Sequence, residues 1–111
     1  MVVYVNFEEG VKRVVDNAKF YIKMLGKFTA DTNINVLEAA LTEGDMDKAY
    51  SAIHAIKGLA GNLSLTELSN QSLELENQIK AKSVNPEQVD LFKNVYSQTL
   101  AEVEKVIAQN G

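Results

Sequence analysis

Residues 45–80, DMDKAYSAIHAIKGLAGNLSLTELSNQSLELENQIK, decide the fold, because two helical patterns meet there with almost no chain between them. On a wheel of about 100° per residue, Ala52, Ile56, Leu59 and Leu63 gather at the pole opposite His54, with Ala49 and Ala60 beside them, so this segment carries one apolar stripe at helical period. Asp45 stands just before it as an N-cap. In the second segment Leu65, Leu68, Ser72, Leu75 and Ile79 share a stripe. Ser64 and Glu67 have the S-x-x-E spacing of a capping box, which predicts that Ser64 opens this helix. So short a junction makes the two helices antiparallel neighbours.

The segments on either side extend the pattern. Upstream, Thr32 to Glu43 places Ile34, Leu37, Ala40 and Leu41 inward, and Gly44 falls where a left-handed residue ends a helix. Before it, Asp16 to about Phe28 carries Phe20, Tyr21, Met24, Leu25 and Phe28 on one predicted stripe. A short helix from Asn6 to Val14, capped by Asn6, is expected to lid one end of the bundle. Downstream, Asn85-Pro86-Glu87-Gln88 supplies a cap, a proline at the first helical position and a glutamine at the third. The last helix is predicted to run to about Gln109 with Val89, Phe92, Tyr96, Leu100, Val103 and Val106 or Ile107 inward. The expectation is an all-α, antiparallel four-helix bundle with a short additional N-terminal helix. It forms a single domain over residues 1–111, with its core at about 6–108.

The composition narrows the chemistry. A chain of 111 residues with 46% hydrophobic and 23% charged residues suits one folded core. A net charge of -4 argues against nucleic acid and anionic membranes as partners. Cysteine is absent, which excludes disulfides, thiolate nucleophiles and Cys-ligated zinc. With one histidine, any imidazole chemistry must use His54, and a metal site would have to be built from carboxylates. No metal site is predicted. No apolar stretch reaches membrane-spanning length, and the N-terminal MVVYVNFEEG lacks the basic start of a secretory signal, so the cytoplasm is the expected compartment. The initiating Met and compact ends lean toward the expectation of a free-standing protein, the alternative being a domain of a longer chain. Four helices that close their own core point to a monomer.

His54 points away from the apolar stripe of its own helix. Asp47, Tyr50, Gly58 and Gly61 lie within about 40° of it on the wheel, with Ser51 and Lys57 about 60° to either side. Two mid-helix glycines each cost roughly 1 kcal/mol relative to alanine, and both fall on this outward face. They clear a shallow depression through which a second protein can reach the ring. Lys57 can place an ammonium beside an anion carried on the ring, and together these residues suit a phosphoryl group. Taken singly, the same signals also fit an unreactive surface histidine, close helix packing and a solvated lysine. Their joint spacing is what distinguishes the first reading.

The run His54-Ala55-Ile56-Lys57-Gly58-Leu59-Ala60-Gly61-Asn62-Leu63 resembles the signature of histidine-containing phosphotransfer (HPt) domains, H-x-L-K-G-x-A followed by a further glycine. The segment LTEGD at 41–45 is similar to the family's entry to the active helix, and Leu73-Glu74-Leu75-Glu76 to its downstream segment. The likeness covers roughly residues 6 to 108. One departure stands out: ten residues after the histidine the family usually has glycine, and this chain has Ser64.

The resemblance implies a phosphorelay intermediate, a phosphocarrier with no independent turnover. His54 would accept a phosphoryl group from an aspartyl phosphate on a receiver domain and pass it to another receiver. Partners would be response-regulator receivers and a hybrid histidine kinase. The chain itself would need no cofactor, because the receiver brings Mg²⁺ and its carboxylates. Lys57 would neutralise phosphoryl oxygens, while Gly58 and Gly61 would leave room for the receiver. Glu76 occupies a position where the family often has Glu or Gln. If the chain reverses near Ser64, Glu76 lies level with His54 beside its helix's stripe and could orient the imidazole, whereas Glu74 lies on the far side. Asp47, Tyr50 and Ser51 would form partner surface. The alternative is an HPt-like module that docks a kinase or receiver with His54 silent, to which the Ser64 departure lends weight. A hydrolase or metal enzyme would need a second catalytic group, and no HExxH motif or carboxylate-rich loop is present.

Overall fold

The computed structural model describes residues 3–110, so the expected domain limits at Met1 and Gly111 lie outside the described residues. Six helices form: α1 (Phe7–Arg13), α2 (Ala18–Thr29), α3 (Asn33–Glu43), α4 (Met46–Asn62), α5 (Thr66–Lys80) and α6 (Pro86–Asn110). There is no strand among the described residues, and the all-α expectation holds. The helices α3 to α6 follow one another through connections of two, three and five residues, each packed on the next. Such short connections force successive members antiparallel. On this bundle α2 lies against α6, with the Phe28 and Tyr96 rings 5.4 Å apart, and α1 lies against α2.

Local chemistry sets most of the ends. The side chains of Asn6, Asn17 and Asp45 accept from the backbone N–H three residues on, closing the N-termini of α1, α2 and α4. Gly44 ends α3 with φ +76°, the left-handed conformation predicted for it. The predicted start of α2 at Asp16 is corrected to Ala18. Val15 and Asp16 take φ of +56° and +60°, which no α-helix allows, and Asn17 is the cap. Phe20, predicted inward, is 44% exposed, because the buried stripe of α2 is Tyr21, Leu25 and Phe28. At the start of α6 the Asn85 side chain accepts from the Glu87 N–H, but the Gln88 amide reaches across to Gln71 at 2.8 Å instead of back to Asn85. The α5 stripe is as predicted, with Leu65, Leu68, Ser72, Leu75 and Ile79 all buried.

The capping-box reading of Ser64 is overturned. Leu65 is the N-cap of α5 and contributes no side-chain bond. Ser64 is buried at φ +56°, donates its hydroxyl proton to Glu9 Oε1 at 2.9 Å and accepts from Arg13 Nε at 3.0 Å. The Glu67 N–H that the box would have satisfied donates to the Val3 carbonyl at 3.0 Å, and the Asn6 N–H donates to the Ser64 carbonyl. The N-terminal segment and α1 thus strap the α4–α5 junction. Gly10 makes this possible, since a Cβ there would come within 2.2 Å of the Tyr21 ring. The Tyr21 hydroxyl in turn donates to the Leu63 carbonyl at 2.7 Å, and burial, with Glu9 nearby, pushes its pKa up to about 12.

Candidate functional site

His54 sits near the middle of α4, held away from the core by Ala49, Ala52, Ile53, Ile56 and Ala60, which are all buried on the opposite side. Ile53 belongs to that face although the wheel had not placed it there. Its side chain fills the α4 flank that packs on the neighbouring helices, which widens the stripe beyond the predicted pole. The His54 side chain keeps 61% of its surface exposed.

Reversal of the chain at residues 63–65 brings α5 back along α4, so Glu76 arrives level with His54. Its carboxylate serves two groups: His54 Nδ1 at 2.8 Å from Oε2 and Lys57 Nζ at 2.7 Å from Oε1. Glu76 is 8% exposed in its side chain, Lys57 29%. Burial pushes the Glu76 carboxyl upward, but the hydrogen bonds and charges of Lys57 and His54 outweigh it and hold the group below its ordinary range. It is therefore a carboxylate at neutral pH and can only accept, which makes Nδ1 the protonated nitrogen of a neutral ring. The lone pair then resides on Nε2, on the solvent side. Glu74, expected on the far side of α5, is exposed and bonds Gln78.

The rest of the face is distributed as follows. The Tyr50 ring stacks on His54 with centroids 5.7 Å apart and planes 15° from parallel, and fixes the imidazole from the N-terminal side. Asp47 and Ser51 are exposed nearby on the same helix. A Cβ at Gly58 would meet nothing within 4 Å, so its absence opens space in front of the helix and relieves no internal contact. At Gly61 the nearest group is Ser69 Oγ at 3.9 Å, on α5. Wheel reasoning could not have found the Tyr50 stacking, since it depends on rotamers. The Glu9–Arg13–Ser64 cluster likewise depends on contacts across more than 50 residues of chain. Among the described residues no three His, Asp or Glu side chains are grouped to hold a metal ion, and no helix is long and apolar enough to cross a membrane.

This arrangement can present one nitrogen lone pair to an incoming electrophile, with a carboxylate behind the ring and an ammonium beside it. A model of the Hpt domain family matches residues 27–107. No curated protein and no solved structure matches the chain.

Proposed function

Because the chain belongs to the Hpt domain family, the phosphotransfer modules of two-component signalling, we propose that it is a phosphorelay intermediate whose phosphorylated atom is His54 Nε2. The Glu76 carboxylate held between His54 Nδ1 and Lys57 Nζ carries this reading, since it leaves Nε2 as the only free lone pair of an exposed ring.

In the forward step Nε2 attacks the phosphorus of a receiver's aspartyl phosphate. The N–P bond forms, the P–O bond to the aspartate breaks, and the aspartate leaves as a carboxylate. No proton changes hands. The ring, now substituted at Nε2 and still protonated at Nδ1, carries a positive charge, and the Glu76 carboxylate is positioned to stabilise it. Lys57 can move from Glu76 toward the phosphoryl oxygens without leaving the site. The second transfer is the reverse reaction with another receiver. Mg²⁺ acts on the receiver side, and alignment and charge neutralisation supply most of the rate. The partners are receivers and a hybrid histidine kinase, met in the compartment where those receivers reside, and one copy of the chain suffices.

The docking-only alternative drew its weight from Ser64, and the backbone accommodates that residue in the left-handed region. Incubation with a phosphorylated receiver should label the wild-type chain and leave His54→Gln unlabelled. Equal labelling of both would refute the proposal, and tight receiver binding with no phosphohistidine would favour a docking module.

A further inference from the structure

Beside the Tyr50 ring, on the side away from His54, the α4 and α5 surfaces part to leave a cleft of about 210 Å³ lined by Met46, Asp47, Tyr50, Ile79, Lys80 and Lys82. Its lining is apolar at Met46, Tyr50 and Ile79, with one carboxylate from Asp47 against two ammonium groups from Lys80 and Lys82. Such a volume suits a protruding side chain and falls short of the usual size of a small-ligand pocket. Lys82 stands out. It follows the last residues of α5 at φ +56°, a left-handed position at which glycine is the favoured residue. Its N–H closes the helix end on the Ile79 carbonyl at 3.0 Å, a bond that glycine would make equally well. The lysine side chain thus has no role in shaping the backbone there, and it lines both this cleft and the adjoining one at Gly44, Asp45, Met46 and Asp47.

Resting on the phosphorelay reading, we infer that this cleft is the anchor pocket for the receiver, taking an apolar side chain flanked by carboxylates, with Lys80 and Lys82 facing the acidic rim of the partner's phosphorylation site. Distance supports it. A transient interface of about 600 Å² per partner is a disc of roughly 14 Å radius. Met46 lies about 12 Å from His54 along the helix axis at 1.5 Å per residue, so a receiver centred on the imidazole covers the cleft. Charge supports it as well, because a partner that holds a cation between carboxylates offers an acidic face, and the two lysines here form no ion pair among the described residues.

The test reads binding apart from transfer. In the full chain carrying His54→Gln, the receiver domains of the same genome, each in its beryllofluoride-activated form, are titrated and the tightest binder is kept. Lys80→Glu with Lys82→Glu should then weaken its binding about ten-fold and flatten the salt dependence, as reversal of two rim charges requires. Lys82→Gly should weaken it about three-fold, with a melting temperature no lower than the parent's, which separates recognition from folding. Met46→Gln should weaken binding several-fold without altering salt dependence. Unchanged affinity in all three variants, or no receiver binding at all, overturns the proposal. If these variants lose binding while wild-type His54 is never phosphorylated, the cleft stands as the docking site and the relay reading fails.

Discussion

At the residue scale, the site depends on how one carboxylate is shared. Glu76 is held below its ordinary pKa of 4.5, so its contribution to stability is fully present above about pH 4.5 and is lost as pH falls through the lower folded-state value. Glu76→Gln should therefore be less stable than wild type at pH 7, by about 1 kcal/mol given the partial exposure of its partners. The gap, followed by denaturant titration at several pH values, should begin to close below about pH 4.5; a gap that stays constant down to pH 2 would contradict the assignment. The same variant tests positioning. With an amide in place of the carboxylate, the phosphorylated ring loses its counter-ion, so the phosphotransfer rate should fall. If the rate does not change, Glu76 does not orient the ring. Ser64 offers a second comparison. Ser64→Ala keeps the left-handed strain and removes both hydroxyl bonds, at a cost of about 1–2 kcal/mol. Ser64→Gly loses the same bonds but relieves roughly 1 kcal/mol of strain, so it should melt above the alanine variant.

At the element scale, helix α4 carries a glycine where alanine would make a better helix. Gly58 has nothing within 4 Å of an added Cβ, and the same is true of Gly26 in α2. Both alanine variants should gain about 0.5–1 kcal/mol by thermal unfolding. Only Gly58→Ala should slow transfer from a receiver, since its methyl group stands on the face beside His54, while Gly26→Ala serves as the matched control. Equal transfer rates in the two would remove the docking role from Gly58. The elements also show where periodicity was a reliable guide. The buried stripe of α5 and the outward His54 were legible because a 3.6-residue period decides them within a single helix. Phe20 is misplaced, and Ile53 escapes the predicted stripe altogether, because both stand at stripe edges where the position of the neighbouring helix decides burial. The start of α2 was misplaced because two non-glycine residues adopt left-handed backbone, which local propensity disfavours.

At the scale of the whole molecule, the all-α bundle and its single histidine face followed from patterns within 20 residues. The parts not legible were those built by contacts across the chain. Ser64 satisfies a capping-box spacing, yet residues 3–13 claim both its hydroxyl and the amide the box would have used. Glu76 was placed level with His54 by assuming a reversal near Ser64, and that one topological step built most of the candidate site. The shared bond to Lys57 and the Tyr50 stack depend on side-chain rotamers that helical periodicity does not set. The central claim concerns one nitrogen, and ¹⁵N-resolved NMR of the His54 ring before and after exposure to a phosphorylated receiver tests it most directly. The expected result is a proton on Nδ1, facing Glu76, in the free chain and phosphorus coupling at Nε2 afterwards. Phosphorus on Nδ1, or ring nitrogens that do not change while the receiver loses its phosphoryl group, would contradict it.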